Sequence, residues 1–543
     1  MTGTRVHVHA AVPEALGATI EQLVADQVAS GIAAQDPTLW GPDAEDEAGK
    51  RLSWVDLPEQ SQHLVPRITA LRQTLTERGV RRIVLCGMGG SSLAPEVICA
   101  AHGVDLVTLD SSEPDMVRAA VSTDLASTAV VVSSKSGSTV ETASQKRAFE
   151  QAFREAGIDP ADRVVVVTDP GSPLEREATE AGYEVFHADP EVGGRYSAMT
   201  AFGLVPSGLA GADIQGLLDE GRTVLDQLRL DAADNPAVQL GGLLGLAANG
   251  GVDKLVLADA GASFARIGDW IEQLVAESTG KHGKGILPVV VESASAPNFV
   301  PSTTDSVLVA TGPDDVLAGT SPASGWAARI DASLGAQMVL WEFAVAVAGR
   351  VIGINPFDQP DVESAKAAAR SMLDGGDGTG SEPDAVDGDI ELRTPGGWAA
   401  EESTDTLEEA LRALLAQLDP ARGYVAVMAY LDRHALGELE RIRASLATRT
   451  GRPVTFGWGP RFLHSTGQLH KGGPAVGVYL QITGEPTADL EVEGQDFSFG
   501  RLVAAQAAGD AGVLADDHGR PVLRLHLRDQ RGGIDRLLAA AEG

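Results

Sequence analysis

The stretch TAVVVSSKSGSTVET, residues 128–142, starts as an apolar run and continues into a hydroxyl-rich segment with a single lysine. A short run of Ala and Val that ends in polar turn residues is typical of a buried strand in a parallel sheet. The residues after Gly137 have a polar, helix-like pattern. The stretch therefore predicts a strand-to-helix junction with many hydroxyl groups at the end of the strand.

The same strand and helix rhythm continues on both sides of this junction. Strand-like runs that alternate with helix-like segments indicate an α/β protein with parallel sheets covered on both faces. The predicted strands around it are RRIVLCG (81–87), VDLVTLD (104–110), DRVVVVTD (162–169) and YEVFHA (183–188). Later ones are VDKLVLAD (252–259), GYVAVMAYL (423–431), PVTFGWG (453–459), AVGVYLQIT (475–483) and PVLRLHL (521–527).

The length of 543 residues exceeds that of one hydrophobic core, so several domains are expected. The pattern predicts an N-terminal helical arm (1–55), a first α/β domain (56–230), a second α/β domain (231–372), a Gly/Asp-rich linker or loop (373–395) and a C-terminal α/β region (396–543).

Composition restricts the partners and the compartment. A net charge of -34 argues against nucleic-acid or anionic-membrane binding, which require a basic surface. No stretch has the length of a spanning helix, and the N-terminus has no signal-peptide pattern, so a cytoplasmic protein is expected. Cys86 and Cys99 fit no metal-ligand spacing and are interpreted as core residues in a reducing compartment.

The first glycine turn, CGMGGSSLAPEV (86–97), lies between a strand and a helix. Its glycines allow a tight turn and close approach to a ligand at a helix N-terminus. A dinucleotide-binding turn is the rival interpretation, and Asp110 ends the next strand where a ribose-binding acid would lie. Ser92, however, stands where that fingerprint has its third small residue.

The second junction favours a phosphate site. Ser134, Ser136, Ser138 and Thr139 surround Gly137, and hydroxyls together with helix N-terminal amides can bind a phosphate monoester, with Lys135 adding charge at the rim. The alternative is a Ser/Thr helix cap, which needs only one hydroxyl.

Six motifs in the chain together resemble the glucose-6-phosphate isomerase family, whose members contain two sugar-isomerase (SIS) domains. The resemblance covers roughly residues 50–370 and 460–527. The motifs are GMGGSSLAPEV (87–97), SSKSGSTVET (133–142), VGGRYSAMTAFGL (192–204), AESTGKHGKGILP (276–288), GINPFDQPDVESAK (353–366) and FLHSTGQLHKGGP (462–474). The implied fold is two SIS-type αβα sandwich domains with parallel sheets, plus the C-terminal α/β region.

The resemblance implies a role for each matched residue. In the catalytic group, Glu277 would be the base, Arg195 the cation near the developing enediolate, His464 the ring-opening residue, and Lys366 a lysine on the far side of the substrate. The substrate-binding residues would be Gly90, Ser91, Ser134, Lys135, Ser136, Thr139, Gly194 and Gln359. The family needs no metal or organic cofactor and usually forms a homodimer.

Physical arguments bear on some of these roles. Glu277 lies in the last turn of a predicted helix, where the dipole should raise its pKa. Gln359 and Lys366 are seven residues apart and would share a helix face. His464 and His470 remain ambiguous between catalytic and structural roles, and Lys471 is a second candidate for the phosphate rim.

The chain departs from the usual family order, because His464 follows Lys366 by about a hundred residues instead of preceding it. Residues 395–455 have no clear counterpart. The expected function is the interconversion of glucose 6-phosphate and fructose 6-phosphate through an enediol. The alternatives are a broader phosphoglucose/phosphomannose isomerase and a non-catalytic sugar-phosphate-binding SIS protein.

Overall fold

The computed structural model describes residues 4–8, 14–262, 264, 266–319, 321–374 and 382–543, except for the side chains of residues 362–366 and 374. The strands are β1 Arg5–Val8, β2 Arg82–Gly87, β3 Val107–Leu109, β4 Thr128–Ser133, β5 Val164–Thr168, β6 Glu184–His187, β7 Lys254–Asp259, β8 Leu287–Val290, β9 Ser306–Thr311, β10 Ala327–Asp331, β11 Ala385–Asp387, β12 Ile390–Arg393, β13 Tyr424–Tyr430, β14 Val454–Trp458, β15 Gly477–Gly484 and β16 Val522–Leu527. The helices are α1 Ala15–Ala25, α2 Val28–Ala33, α3 Glu45–Ala48, α4 Leu57–Gln60, α5 Leu64–Glu77, α6 Leu93–Ala101, α7 Pro114–Ser122, α8 Val140–Glu155, α9 Pro173–Glu180, α10 Ala201–Ala210, α11 Ile214–Leu228, α12 Pro236–Asn249, α13 Ile267–Thr279, α14 Leu334–Ile352, α15 Val362–Asp374, α16 Leu407–Ala416, α17 Ile442–Thr450, α18 Gly467–Gly472, α19 Phe499–Gly512 and α20 Gln530–Glu542.

The first sheet is wholly parallel, in the order β3-β2-β4-β5-β6. Its central strand β4 is buried at every position, as expected for a parallel strand covered by helices on both faces. The chain leaves β2 toward β3 on one side and later returns to β4 on the other. The turns after β2 and β4 therefore face one another at the switch point, where α/β sheets bind ligands.

The second sheet has the order β1-β10-β9-β7-β8 and repeats this arrangement, with β7 between β8 and β9. The N-terminal segment expected to be a helical arm also contributes an edge strand, β1, which pairs antiparallel with β10. This strand is short and half-exposed, so its sequence carries little apolar signal.

The third sheet has the order β11-β12-β16-β15-β13-β14 and is parallel except at the β11 and β12 edge. The predicted linker at 373–395 is corrected here in part. Residues 385–393 form the hairpin β11–β12 on this sheet, because Ile390 and Leu392 are fully buried against its core. Residues 375–381 lie outside the described residues.

Helix α14 is long and apolar enough to cross a membrane, contrary to the expectation that no such stretch exists. Most of it is buried inside the protein, where it packs between α11, α12 and α13. Its composition therefore reflects a central core helix shared by the first two domains.

An ionic junction formed by Glu96, Asp110, Arg433 and Arg461 joins the first and third domains. Glu96 follows the first glycine turn and contacts Arg461 and Arg433, the latter at 2.8 Å. Asp110, the residue weighed as a ribose-binding acid, contacts Arg461 at 2.8 Å. The carboxyl ends of β13 and β14, which carry the two arginines, are thereby held against the first sheet.

Candidate active site

The two turns at the switch point of the first sheet form the floor of the candidate site. The turn after β2 touches the segment before Arg195, and a Cβ atom added at Gly90 would lie 2.0 Å from the carbonyl oxygen of Gly194. A side chain cannot fit at that distance, so Gly90 is required by the approach of these two backbones. Ser91 lies in the same turn.

The turn after β4 gathers the hydroxyl groups predicted as a phosphate cradle. Ser134 Oγ donates to Thr139 Oγ1 at 3.2 Å and accepts from the Gly137 amide at 3.1 Å. Ser136 Oγ and Ser138 Oγ are 2.9 Å apart. Gly137 has φ +70°, which a residue with a side chain adopts only with strain. Thr139 precedes α8 without a side-chain capping bond, so the alternative of a simple helix cap gains no support.

Lys135 does not direct its charge into this cradle. Its Nζ lies 2.7 Å from Asp169 Oδ2 and 3.1 Å from the carbonyl oxygen of Pro190. The expectation that Lys135 adds charge at the phosphate rim therefore differs from the observed contacts.

Glu277 and Arg195 meet in the interior. Arg195 Nη1 lies 3.4 Å from Glu277 Oε2, and both side chains are almost fully buried. The pKa of Glu277 is raised, as predicted, but burial is the main cause rather than the helix end alone; the charges of Arg195 and His464 and a hydrogen bond from Gln273 oppose the rise.

The Arg195 guanidinium is fixed by the segment that follows α14. It donates to Gln359 Oε1 at 3.0 Å and to the carbonyl oxygens of Pro356 and Asp358 at 2.8 and 2.9 Å. Lys281 Nζ binds the same segment through Asp358 Oδ1 at 2.6 Å. Arg195 and Gln359, predicted from separate motifs, are thus in direct contact.

His464 reaches this site from the third domain of the same chain. Its Nε2 lies 3.0 Å from Glu141 Oε1, which also accepts from Gln506 Nε2 at 2.7 Å. Burial alone would raise the pKa of Glu141, but the hydrogen bonds and the charge of His464 lower it. Because the Glu141 carboxylate accepts this hydrogen bond, Nε2 of His464 carries the hydrogen. The other ring nitrogen, Nδ1, can then exchange a proton with a ligand.

The hydroxyl cradle and the His464–Glu141 pair border a cavity of about 280 Å³, whose lining does not include Glu277 or Arg195. Its lining includes the cradle residues Ser136, Ser138 and Thr139 together with Glu141 and His464. No cluster of His, Cys, Asp and Glu in the described ranges could hold a metal ion.

Comparison with known proteins shows which family part of the chain resembles. Residues 59–298 match the family model of phosphoglucose isomerase. The chain is 29% identical over 340 residues to a probable glucose-6-phosphate isomerase of Haloarcula marismortui, covering 54% of this chain and 78% of that protein. It is 29% identical to a glucose-6-phosphate isomerase of Rubrobacter xylanophilus, covering 58% of this chain and 87% of that protein. Over residues 59–298 the chain is therefore similar to the phosphoglucose isomerase family.

Solved structures agree on the fold. A hypothetical protein of Thermus thermophilus superposes with a TM-score of 0.59 at 26% identity, covering 68% of this chain and all of that one. A glucose-6-phosphate isomerase of Chlamydia trachomatis superposes with a TM-score of 0.53 at 20% identity, covering 66% and 85%. The phosphoglucose isomerase fold thus accounts for about two thirds of this chain.

Two further lysines and a histidine from the motifs have different surroundings. Lys366 lies on α15, but its side chain is outside those that the structure describes. The expectation that Gln359 shares a helix face with Lys366 is wrong, because α15 begins at Val362. Lys471 Nζ pairs with the buried Asp510 at 2.6 Å. His470 is buried beside Tyr424, and burial lowers its pKa to about 3, so this histidine is a neutral core residue.

Two residues of the site escaped the sequence reasoning. Glu141 belongs to the motif SSKSGSTVET (133–142). Its place in the first turn of α8, directly after the cradle, is the signal that could have identified it as a site residue. Gln273 lies one turn before Glu277. Its Nε2 donates to the His464 carbonyl oxygen at 2.8 Å and to Glu277 Oε1 at 3.4 Å. Only the folding of the third domain against the first two brings His464 to these residues.

Proposed function

We propose that this chain interconverts glucose 6-phosphate and fructose 6-phosphate by ring opening and base-catalysed proton transfer through a cis-enediol. The observation that carries the proposal is the buried contact between Glu277 and Arg195. A base with a raised pKa next to a fixed guanidinium suits abstraction of a carbon-bound proton and stabilisation of the resulting enediolate.

The residues divide the reaction into three tasks. The hydroxyls and amides of Ser134, Ser136 and Thr139 hold the phosphate at the start of α8. His464, oriented by Glu141, exchanges a proton with the ring oxygen and opens the sugar. Glu277 then moves one proton between C2 and C1.

Lys366 and Gln359 act on the other side of the substrate, with Gly90, Ser91 and Gly194 lining the sugar pocket. For Gln359, the proposal is supported by its hydrogen bond to Arg195. For Lys366, it rests on the family motif.

The finer properties of the protein are also proposals. We propose that it acts in the cytoplasm as a homodimer, without nucleic-acid or membrane partners, in keeping with its net charge of -34 and two buried free cysteines. Light scattering of the purified protein measures the oligomeric state.

A coupled assay tests the function. Glucose 6-phosphate and fructose 6-phosphate should each be converted to the other, and a mannose 6-phosphate arm tests the broader specificity. Glu277→Gln keeps the shape but removes the base, so turnover should fall at least about 100-fold while substrate binding persists. Turnover close to that of the wild type would overturn the assignment of the base.

A further inference from the structure

Helix α19 carries two buried polar side chains on one face, Gln506 and Asp510. They lie four residues apart in a stretch that otherwise contains only Ala and Gly, so both need partners inside the protein. Asp510 pairs with Lys471 of α18 at 2.6 Å, and both groups are almost fully buried. Because α18 follows His464 closely in the chain, this ion pair holds α19 against the segment that carries the histidine.

Gln506 is bound on both sides by groups of the first domain. Its Oε1 accepts from Ser112 Oγ at 2.6 Å, and its Nε2 donates to Glu141 Oε1 at 2.7 Å. All three side chains are buried. The orientation of the amide follows from its partners, because an ionised carboxylate only accepts hydrogen bonds and so requires the NH2 group. The amide oxygen then faces Ser112, whose hydroxyl donates to it.

These hydrogen bonds alternate between the two domains. Ser112 of the first domain donates to Gln506 of the third, which donates to Glu141 of the first. His464 of the third domain donates to the same Oε1 atom of Glu141 at 3.0 Å. The charge and the rotation of the Glu141 carboxylate are therefore both fixed from the third domain.

Glu141 depends on these donors because it is buried. A buried carboxylate that lacks donors tends to take up a proton. A protonated Glu141 would no longer accept from Nε2 of His464, and a rotated carboxylate would present its oxygen at another angle. Either change would release the imidazole ring from its present orientation.

We propose that Gln506 is a positioning residue for ring opening, and that Ser112 fixes its amide in the orientation that Glu141 requires. This inference rests on the proposed role of His464. Gln506 lines the cavity of about 280 Å³ together with His464 and the hydroxyl cradle, so it borders the space that the sugar would enter. The third domain thus supplies both the histidine and the amide that orients the partner of the histidine.

The first test compares two substrates. Gln506→Met keeps the length of the side chain and removes both hydrogen bonds. Turnover of cyclic glucose 6-phosphate should fall at least about tenfold, as expected when a hydrogen bond to a charged group is lost. Proton exchange at C2 of an open-chain analogue should change much less, because that exchange uses Glu277. A residue that only held the domains together would slow both reactions alike.

The second test is proton NMR of the full-length protein without substrate. The Nε2 hydrogen of His464, bound to a buried carboxylate, should give a downfield resonance that is absent from the spectrum of His464→Asn. Gln506→Met should broaden or remove this resonance. Because the spectrum needs no turnover, it decides the positioning role even if the wild-type protein proves to have no isomerase activity.

The matched control is Gln481→Met, which removes another buried amide that supports α19. The hydrogen bonds of the Gln481 side chain go to the Ala507 carbonyl oxygen at 2.9 Å and to Arg524 Nε at 2.8 Å. Once its stability is checked, this variant should keep the wild-type turnover and the downfield resonance.

Ser112→Ala is a milder second variant, and it replaces Gln506→Met if that protein does not fold. It should slow the cyclic substrate in the same direction, because the amide loses the donor that orients it. Equal losses on cyclic and open-chain substrates would overturn the proposal. A His464 resonance that is unchanged in both variants would overturn it as well.

Discussion

Glu277 can accept a proton only in its ionised form, and its surroundings decide at which pH that form exists. Burial raises its pKa, while the hydrogen bond from Gln273 lowers it. The raised pKa means that the ionised base is lost as the pH falls, at a pH above that of an exposed Glu. The value of kcat/KM should therefore show an acid limb that belongs to this residue.

Replacing Gln273 by Met should move that limb to higher pH, because the variant lacks the hydrogen bond that favours the carboxylate. Profiles of kcat/KM against pH for the two proteins measure the shift. The second ionisation of the sugar phosphate, near pH 6, is common to both profiles and cancels in the comparison. A limb that stays in place or moves to lower pH would contradict the role given to Gln273.

His464 should matter only when the substrate arrives as a closed ring. His464→Asn should slow turnover of cyclic glucose 6-phosphate strongly, yet leave proton exchange at C2 of an open-chain analogue much less affected, because that exchange uses Glu277. His470→Asn is the matched control in the same segment, and both its rates should stay close to wild type once its stability is checked. Equal losses on both substrates would show that His464 shapes the site instead of opening the ring.

Individual site residues could be predicted from the sequence where a motif surrounds them. Glu277, Arg195 and Gln359 were predicted from three separate motifs, and the structure brings them into contact. Glu141 was missed because its partner, His464, lies 323 residues away. Local sequence contains no signal for a hydrogen bond across that distance.

At the scale of elements, the two strand ends of the first sheet form a site because their turns approach each other and the segment before Arg195. The approach depends on Gly90, whose missing side chain leaves room for the Gly194 carbonyl oxygen. A displaced turn would move Arg195 away from Glu277.

Gly90→Ala should therefore lower both activity and stability. The added Cβ must displace one backbone, at a cost of about 1–3 kcal/mol, and kcat/KM should fall with it. Gly17→Ala on α1 is the control, since a Cβ there meets nothing within 4 Å. The measurements are kcat/KM and the thermal unfolding midpoint of both variants. A Gly90→Ala protein as active as the Gly17→Ala control would show that the turn adapts to the added Cβ.

Buried strands were the most predictable elements. In an α/β chain, the apolar runs of β2, β4 and β5 predict buried parallel strands, and all three lie in the first sheet. The edge strand β1 and the hairpin β11–β12 were not predicted, because edge strands are stabilised by pairing with a sheet that their own short sequences do not reveal. Strands β8, β9 and β10 of the second sheet were not predicted either, although β9 is buried at every position.

At the scale of the whole molecule, the third domain is positioned by charge pairs that the first domain buries. Burial alone would raise the pKa of Glu96, but Arg461, Arg433 and Arg266 together hold it well below its usual value. A depressed pKa stabilises the folded state above the ordinary value of 4.5, and this contribution is lost as the pH falls below it.

Glu96→Gln should therefore destabilise the protein at neutral pH by about 3–5 kcal/mol, because the arginines lose their shared partner. The same variant should lose less stability on acidification than the wild type. Unfolding midpoints at neutral and acidic pH measure both effects, with the exposed Glu21→Gln as control. Parallel acid profiles for wild type and Glu96→Gln would contradict the junction's role.

The contact between His464 and Glu141 has a consequence for the order in which the enzyme matures. A ribosome that has completed the second sheet has already delivered the cradle, Arg195 and Glu277, but the nascent chain still lacks His464. In the proposed mechanism, such a chain holds the groups that would isomerise an open sugar and lacks the group that would open a closed one. If His464 opens the ring as proposed, we expect the ability to use the cyclic sugar to be acquired last, when the C-terminal domain emerges and docks.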